Sequence, residues 1–499
     1  MTTTSSTGSV SSLGIGSGLD VNSIISSLMA VEAQPLTLLQ NKASSINTEI
    51  SAVGRIQSDT SAMGDKASAL SSLSLWSQTT SSSADASVVT ASTTSGNAVP
   101  GDYSVVVKQL AQGQTVTSNA AAATTMNSGS ITITLGAWSG STILQDGTSS
   151  PPTTFTPKDG SSIPPITIGP GDTSLSSIRD KINAANAGVT ASIITDASGS
   201  RLSLRSTATG ETNGFMISTT EDADDGDPTT GLSALAFDPR DAASQMASNQ
   251  YAANALATVN NIPVESESNT LANISDGLSV TLQKVSATPV DIKVSTDTAS
   301  MQTAIQAFVT TYNALNSEIH TDTKYSPGAT VAQGTSTVDG PLQGDPSIIS
   351  FQNQLRGIIN TTSTTSSMYS RMSDIGIAVQ SDGSLAIDSS KLSTALQHPD
   401  QLKALFTTQG TTAANTGIMV RFSTLATQSL GTDGSLQTRE TGLQSELSRN
   451  SDQQASMQTH LDATQARLTA QYQALDTTMS QMSALSSYVT QQVTLMEKA

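Results

Sequence analysis

Apolar residues return at steps of three and four near both ends of the chain, whereas the region between carries short β-type runs parted by turns. Near the N-terminus Leu39, Ala43, Ile46, Ile50, Val53, Ile56, Thr60, Met63, Ala67, Leu70 and Leu73 mark one face of a long helix. Toward the C-terminus Leu443, Leu447, Met457, Leu461, Leu468, Tyr472, Leu475, Met479, Met482, Val489, Val493 and Met496 repeat the pattern. A stripe this narrow cannot close a globular core alone, so the two must pack on each other or on other chains. The residues expected to carry self-association are Leu39, Ile46, Ile50, Val53, Leu443, Leu447, Met457, Leu461, Leu468, Leu475, Met479, Met482, Val489 and Val493. Asn450, Gln454 and Thr464 interrupt the second stripe, and its phase shifts near Thr464, Leu468 and Tyr472. Polar residues in such a seam weaken packing and fix register, which suits a reversible coil.

Residues 1–18 are Ser, Thr and Gly in the main and predict a mobile arm. Asp20 is placed to cap a short amphipathic helix that stops or kinks at Gln34-Pro35. From Trp76 to Val294 the β runs include Tyr103 to Val107, Ile131 to Leu135, Val189 to Ile194, Leu202 to Leu204, Val280 to Leu282 and Ile292 to Val294, with one helix over Leu175 to Ala185. Pro151 to Pro170 and Glu221 to Asp227 read as surface loops. Helix returns at Met301 to Ile319, Ile348 to Ile359, Lys391 to Phe406 and Ile418 to Leu430, with a hairpin around Ser381-Asp382-Gly383. The expected fold class is α+β multidomain, with terminal helices forming a coiled-coil or helix-bundle leg and an inserted, mainly antiparallel β head of two subdomains. The corresponding divisions are an arm and short helix at 1–35; a helical leg of 36–75 with 299–435; an inner β head of 76–119 with 245–298; an outer β head of 120–244; and a coiled-coil helix at 436–499.

At 499 residues the chain has room for about three domains. Only 12% of residues are charged, half the usual share of about 25%, so the surface is hydroxyl-rich instead of ionic. A net charge of −18 repels phosphate backbones and argues against nucleic acid as a partner. With no cysteine, disulfides, thiolate metal sites and thiol nucleophiles are all excluded. No run approaches the ~20 apolar residues of a membrane-spanning helix, so membrane insertion is not expected. The first dozen residues lack the basic and apolar regions of a cleaved secretory signal.

Catalytic constellations do not emerge. His320, His398 and His460 have no neighbouring ligand at metal-site spacing. Gly14, Gly16 and Gly18 begin like a dinucleotide loop, but Leu19 replaces the last glycine and no strand precedes it. Asp222, Asp224, Asp225 and Asp227 suggest a calcium loop, yet Gly226 and Ser233 occupy ligand positions, leaving a solvated loop as the better reading. No enzyme, metal or cofactor is expected.

Several motifs in order resemble the flagellar hook-associated protein 2 family, the filament-capping proteins of bacterial flagella. They are Gly14 through Ile25 with Leu28-Met29; Gly101-Asp102-Tyr103-Ser104-Val105; Gln109-Leu110-Ala111; Ser268-Asn269-Thr270; Gly277-Leu278; and Phe308, Tyr312 and Asn313. The series continues with Gly344-Asp345, Ile375-Gly376-Ile377, Asp382-Gly383-Ser384-Leu385, Asp388, Lys391-Leu392 and Leu405-Phe406. Residues 120–245 contribute no motif. The resemblance implies a secreted protein exported unfolded through the flagellar type III channel, assembling as a homo-oligomeric ring at the filament tip. There it would retain flagellin and promote its folding and polymerisation. Its implied partners are copies of itself, flagellin, the hook–filament junction proteins and an export chaperone before secretion. A flagellin-like structural subunit is the nearest rival, against which the Ile375 to Phe406 block argues. A tip-exposed adhesin whose Ser/Thr-rich head binds host mucin or glycan is the other alternative.

Overall fold

A computed structural model describes residues 20–94, 98–120, 126–141, 150–160, 163–326 and 339–496. The expected arm over residues 1–18 lies outside these. In chain order the helices are α1 (Val21–Glu32), α2 (Gln34–Ser71), the single turn α3 (Leu73–Trp76), α4 (Leu175–Ala184), α5 (Thr298–Thr323), α6 (Pro346–Asn360), α7 (Ser389–Ala395), α8 (Pro399–Thr407), α9 (Ile418–Leu430) and α10 (Ser435–Met496). The chain divides into a helical unit of residues 1–76 with 298–499 and a β unit of residues 77–297.

The helical unit shares one core. On α2 the residues Ile46, Val53, Ile56, Met63 and Leu70 are buried, as are Met301, Ile305, Phe308, Tyr312, Leu315 and Ile319 of α5, at the steps of three and four that the sequence shows. From α9 come Ile418, Met419 and Phe422, and Leu436 and Leu443 of α10 join the same cluster. The helix expected over Lys391 to Phe406 is two helices. Pro399 starts α8, and His398 before it is held at φ −120°, ψ 64°, outside the α region that proline forbids to its predecessor.

The motif residues that carry the resemblance do structural work here. Asp345 caps α6 by accepting from the amides of Ser347 (2.9 Å) and Ile348 (3.3 Å), and Asp388 caps α7 in the same way. The Asn313 side chain donates to the Leu385 carbonyl (2.8 Å) and accepts from the Leu385 amide (2.7 Å), so α5 holds the hairpin of Ile377–Val379 and Leu385–Ile387 as a further strand would.

Two glycines of α2 have opposite settings. A Cβ on Gly64 would lie 2.6 Å from Cβ of Ala426 on α9, whereas one on Gly54 would meet nothing within 4 Å. Gly54→Ala should therefore stabilise the unit by about 0.5–1 kcal/mol through helix propensity alone. Gly64→Ala should destabilise it, because forcing α2 and α9 apart costs about 1–3 kcal/mol. Urea midpoints moving in opposite directions check the pair.

In the β unit every strand pairing among the described residues is antiparallel. A five-stranded sheet runs in the order Thr79–Ser83, Ser286–Thr296, Gly101–Gln109, Ala255–Val259, Ile262–Ser266. With the three-stranded sheet of Thr270–Ser275, Leu278–Leu282 and Val89–Thr93 it encloses a core that includes Val105, Val107, Val280 and Ile292. The last two strands of the large sheet join through Asn260 and Asn261, both at positive φ (49° and 64°), the requirement of a two-residue type I′ turn. Two motifs far apart in sequence meet at this core: the Asn269 side chain accepts from the Ala111 amide (2.7 Å) and donates to its carbonyl (3.0 Å).

A second β core gathers Ile131, Ile133, Leu202, Leu204, Phe215 and Phe237 with Ile178 and Ile182 of α4. The stretch from Pro151 to Pro170, expected as loop, holds two strands, Thr154–Pro157 and Ile166–Ile168, both paired to Gly129–Ser139. They are three or four residues long, and Pro157 ends its strand, so proline removes little from the ladder and the periodic signal is too brief to read.

Candidate assembly interface

The first part of α10 is locked onto α2, and the contacts run in opposite directions along the two helices. Gln57 meets Glu440 (3.0 Å), Lys42 meets Glu446 (3.1 Å), and Gln454 donates weakly to the Leu39 carbonyl (3.5 Å). Arg439 is the central tie, with Nη2 at 3.1 Å from Glu49 of α2 and Nε on the carboxylate of Asp345 that caps α6. The polar seam positions are internal: Asn450 and Thr464 are buried, and Gln454 donates to Asn450 Oδ1 at 2.6 Å. On the far flank of α2, Arg55 joins Glu318 and Asp322 of α5 (3.1 Å to the latter). Burial pushes the Asp322 carboxyl up against the pull of Arg55.

The α1 helix begins as expected, with Asp20 accepting from the Ser23 amide at 3.0 Å. Val21 and Ile25 are its buried residues, while Leu28 and Val31 stay exposed.

Beyond Thr464 the same helix changes character. Leu475, Met479, Met482, Leu485, Tyr488, Val489, Val493, Leu495 and Met496 are between 40% and 77% exposed. Between residues 475 and 496 the one charged side chain is Asp476; the remainder are Ala, Ser, Thr, Gln and these apolar groups. At 1.5 Å per residue this face is about 33 Å long. Covering a large apolar side chain is worth about 1.5–3 kcal/mol, so an apolar stripe of this length is costly to leave in water.

The fourteen seam residues named from the sequence thus separate into groups. Ile46, Val53 and Leu443 lie in the unit's own core, with Ile50 and Leu447 packed against it. Leu461 is buried, and Leu39, Met457 and Leu468 are half-buried. Leu475, Met479, Met482, Val489 and Val493 face outward. Leu485, Tyr488 and Leu495 widen that outward face and were missed, although the step of three from Met482 signals Leu485 and Tyr488, and Leu495 follows Tyr488 at the two-turn step of seven. The Arg439 cluster has no sequence signal, since its acids stand 94 and 390 residues away.

Glu221, Asp224 and Asp225 come within 4.8 Å of one another. Glu221 already accepts from Asn127 (2.7 Å) and the Ser233 amide (2.8 Å), and Asp224 and Asp225 accept from amides of their own loop. The loop reading of this stretch therefore accounts for its acids. Among the described residues no helix is long and apolar enough to cross a membrane.

Comparison with known proteins gives a consistent result. Family models described as the flagellar hook-associated protein 2 N-terminus and C-terminus match residues 17–114 and 252–484. A flagellin hook IN motif matches residues 154–208, within the region to which the sequence reading assigned no motif. The flagellar hook-associated protein 2 of Escherichia coli strain K12 is 34% identical over 487 residues, 97% of this chain and 98% of that protein. The B-type protein of Pseudomonas aeruginosa is 29% identical over 492 residues, 96% of each. The crystal structure of the D1-D2-D3 domains of the flagellar cap protein FliD from Escherichia coli is similar with a TM-score of 0.56 at 29% identity, covering 79% of this chain and 99% of that one.

Proposed function

We propose that this chain, which belongs to the flagellar hook-associated protein 2 family, caps the growing tip of the bacterial flagellar filament. Copies assemble into a ring that retains exported flagellin and helps each subunit fold into the next lattice site. The observation that carries this reading is the uncovered apolar face of α10 from Leu475 to Met496, which a monomer leaves in water. Its covering by neighbouring helices supplies the association energy without any covalent chemistry. Seating on the hook–filament junction proteins precedes flagellin addition. Delivery runs unfolded through the flagellar type III channel with an export chaperone, which a chain with no cysteine and few charges suits.

Expression of the full chain in a bacterium lacking its own filament cap should restore filaments and swimming, and negative-stain images of the purified chain should show rings. Flagellin lost to the medium despite expression, together with a purified chain that stays monomeric, would refute the reading.

A further inference from the structure

The methionines of the described residues differ sharply in access to solvent. Met63, Met126, Met246, Met301, Met372 and Met419 are at most 4% exposed, whereas Met368, Met479, Met482 and Met496 stand open. Three of those four share one stripe of α10, where Met479, Met482, Val489, Val493 and Met496 follow at steps of three, seven, four and three. The covered stretch of the same helix is built differently, since its buried apolar residues, Leu436, Leu443 and Leu461, are all leucine. Methionine adapts to irregular partners better than leucine does, but its thioether sulfur also reacts with peroxides, and the sulfoxide that results is polar. With no cysteine in the chain, no thiol takes the oxidant first. The uncovered face of α10 thus concentrates the accessible, oxidisable sulfur where the assembly reading needs an apolar surface.

We propose that Met479, Met482 and Met496 form an oxidation site that switches off self-assembly, an inference that rests on the self-assembly reading above. The reagent is a hydroperoxide. Its O–O bond breaks, one oxygen passes to the thioether sulfur, the sulfur gives up two electrons, and the peroxide leaves reduced to water or an alcohol. The sulfoxide oxygen is a hydrogen-bond acceptor that an apolar helix face cannot satisfy, so covering it strands a desolvated dipole. The modified chain stays folded, because none of the three belongs to the core of its own unit. Covering of the face in a ring closes the site, so the reagent acts on free chains and spares assembled ones. Methionine sulfoxide reductases, one for each sulfoxide epimer, restore the thioether.

Full-length wild type, Met368→Leu and a variant combining Met479→Leu, Met482→Leu and Met496→Leu decide the matter. Each is treated with hydrogen peroxide and followed by sedimentation velocity, with peptide mass spectrometry locating the added oxygen. In free wild-type chains the four exposed methionines should oxidise well ahead of the six buried ones. The concentration needed for ring formation should then rise about tenfold or more in wild type and in Met368→Leu, with the melting midpoint unchanged, and reductase treatment should reverse the loss. The combined variant nearly conserves side-chain volume, so it should assemble like wild type both before and after peroxide. In preformed rings Met368 should oxidise while the three methionines of α10 are protected. Should the combined variant not assemble untreated, oxidation of wild type and its reversal by the reductases carry the test. Unchanged assembly of wild type with all three sulfurs oxidised, or an equal loss in wild type and the combined variant, overturns this inference alone. Three sulfurs that react as fast in rings as in free chains, or a wild type that never assembles, overturn the reading of α10 as the assembly surface and this inference with it.

Discussion

A chain cut after Thr478 is expected to lose ring formation and filament growth while its helical unit melts where the full chain does. The buried positions of α10 are Leu436, Leu443, Asn450, Leu461 and Thr464, and all of them remain. So do the ties of Arg439 to Glu49 and Asp345. What is removed is Met479, Met482, Leu485, Tyr488, Val489, Val493, Leu495 and Met496, each at least 40% exposed. If a partner covers even half of these, the lost burial at about 1.5–3 kcal/mol per large side chain is about 6–12 kcal/mol, comparable with the roughly 8 kcal/mol of a micromolar contact. Circular dichroism melting separates this from general damage, and sedimentation with filament counts reads the loss. Rings or normal filaments from the shortened chain would place the assembly surface elsewhere. A cut at Leu436 would be a poorer experiment. It takes Leu436 and Leu443 out of the core and leaves buried Asp345 without its cation, so it should unfold the helical unit itself.

Phe422→Ala is expected to cost the helical unit about 3–5 kcal/mol, the range for deleting a fully buried aromatic ring from a core. Phe422 is fully covered and meets the rings of Phe308 at 5.1 Å and Tyr312 at 6.0 Å, both edge-on. Those aromatic contacts exceed simple area burial by about 0.5–1.5 kcal/mol each. Phe308 and Tyr312 are themselves pinned on α5, and Tyr312 donates to the Gly383 carbonyl at 3.3 Å, so collapse into the space is restricted. A loss of this size is a large part of the 5–15 kcal/mol that a domain has in total. Trp76 provides the readout, being buried in this unit 5.5 Å from Phe406 with its indole N–H on the Leu70 carbonyl (2.9 Å). In a Trp138→Phe background it is the one tryptophan left, and its emission should show a urea midpoint shifted strongly downward. A change under about 1 kcal/mol would mean that α9 repacks freely against α2 and α5.

The long helices α2, α5, α6 and α9 were legible in the sequence because each exceeds two turns and faces one common core, so that periodicity and burial coincide. Met301 through Ile319 on α5 is the clearest case, and Asp20 shows that a cap is readable where its side chain acts on an amide three residues away. The strands at Thr154–Pro157 and Ile166–Ile168 escaped because three or four residues among prolines carry no period, and their partner strand begins 25 residues before the first of them. Pro399 divided a stretch read as continuous, because the fold used the restriction on His398 to start a new helix.

By itself the sequence determined the α+β composition, the long seams at both ends, the absence of thiol chemistry and the family, since these follow from local period, residue inventory and ordered motifs. The tertiary structure alone decided where a seam stops being internal. Leu443 and Val489 obey the same spacing in one helix, yet the first lies in a core and the second in water. Periodicity specifies which direction a side chain takes from its own helix axis, whereas burial depends on what another part of the chain places opposite it. That long-range fact makes Arg439 a matched charge, Arg421 an unmatched one, and the last turns of α10 an uncovered apolar face.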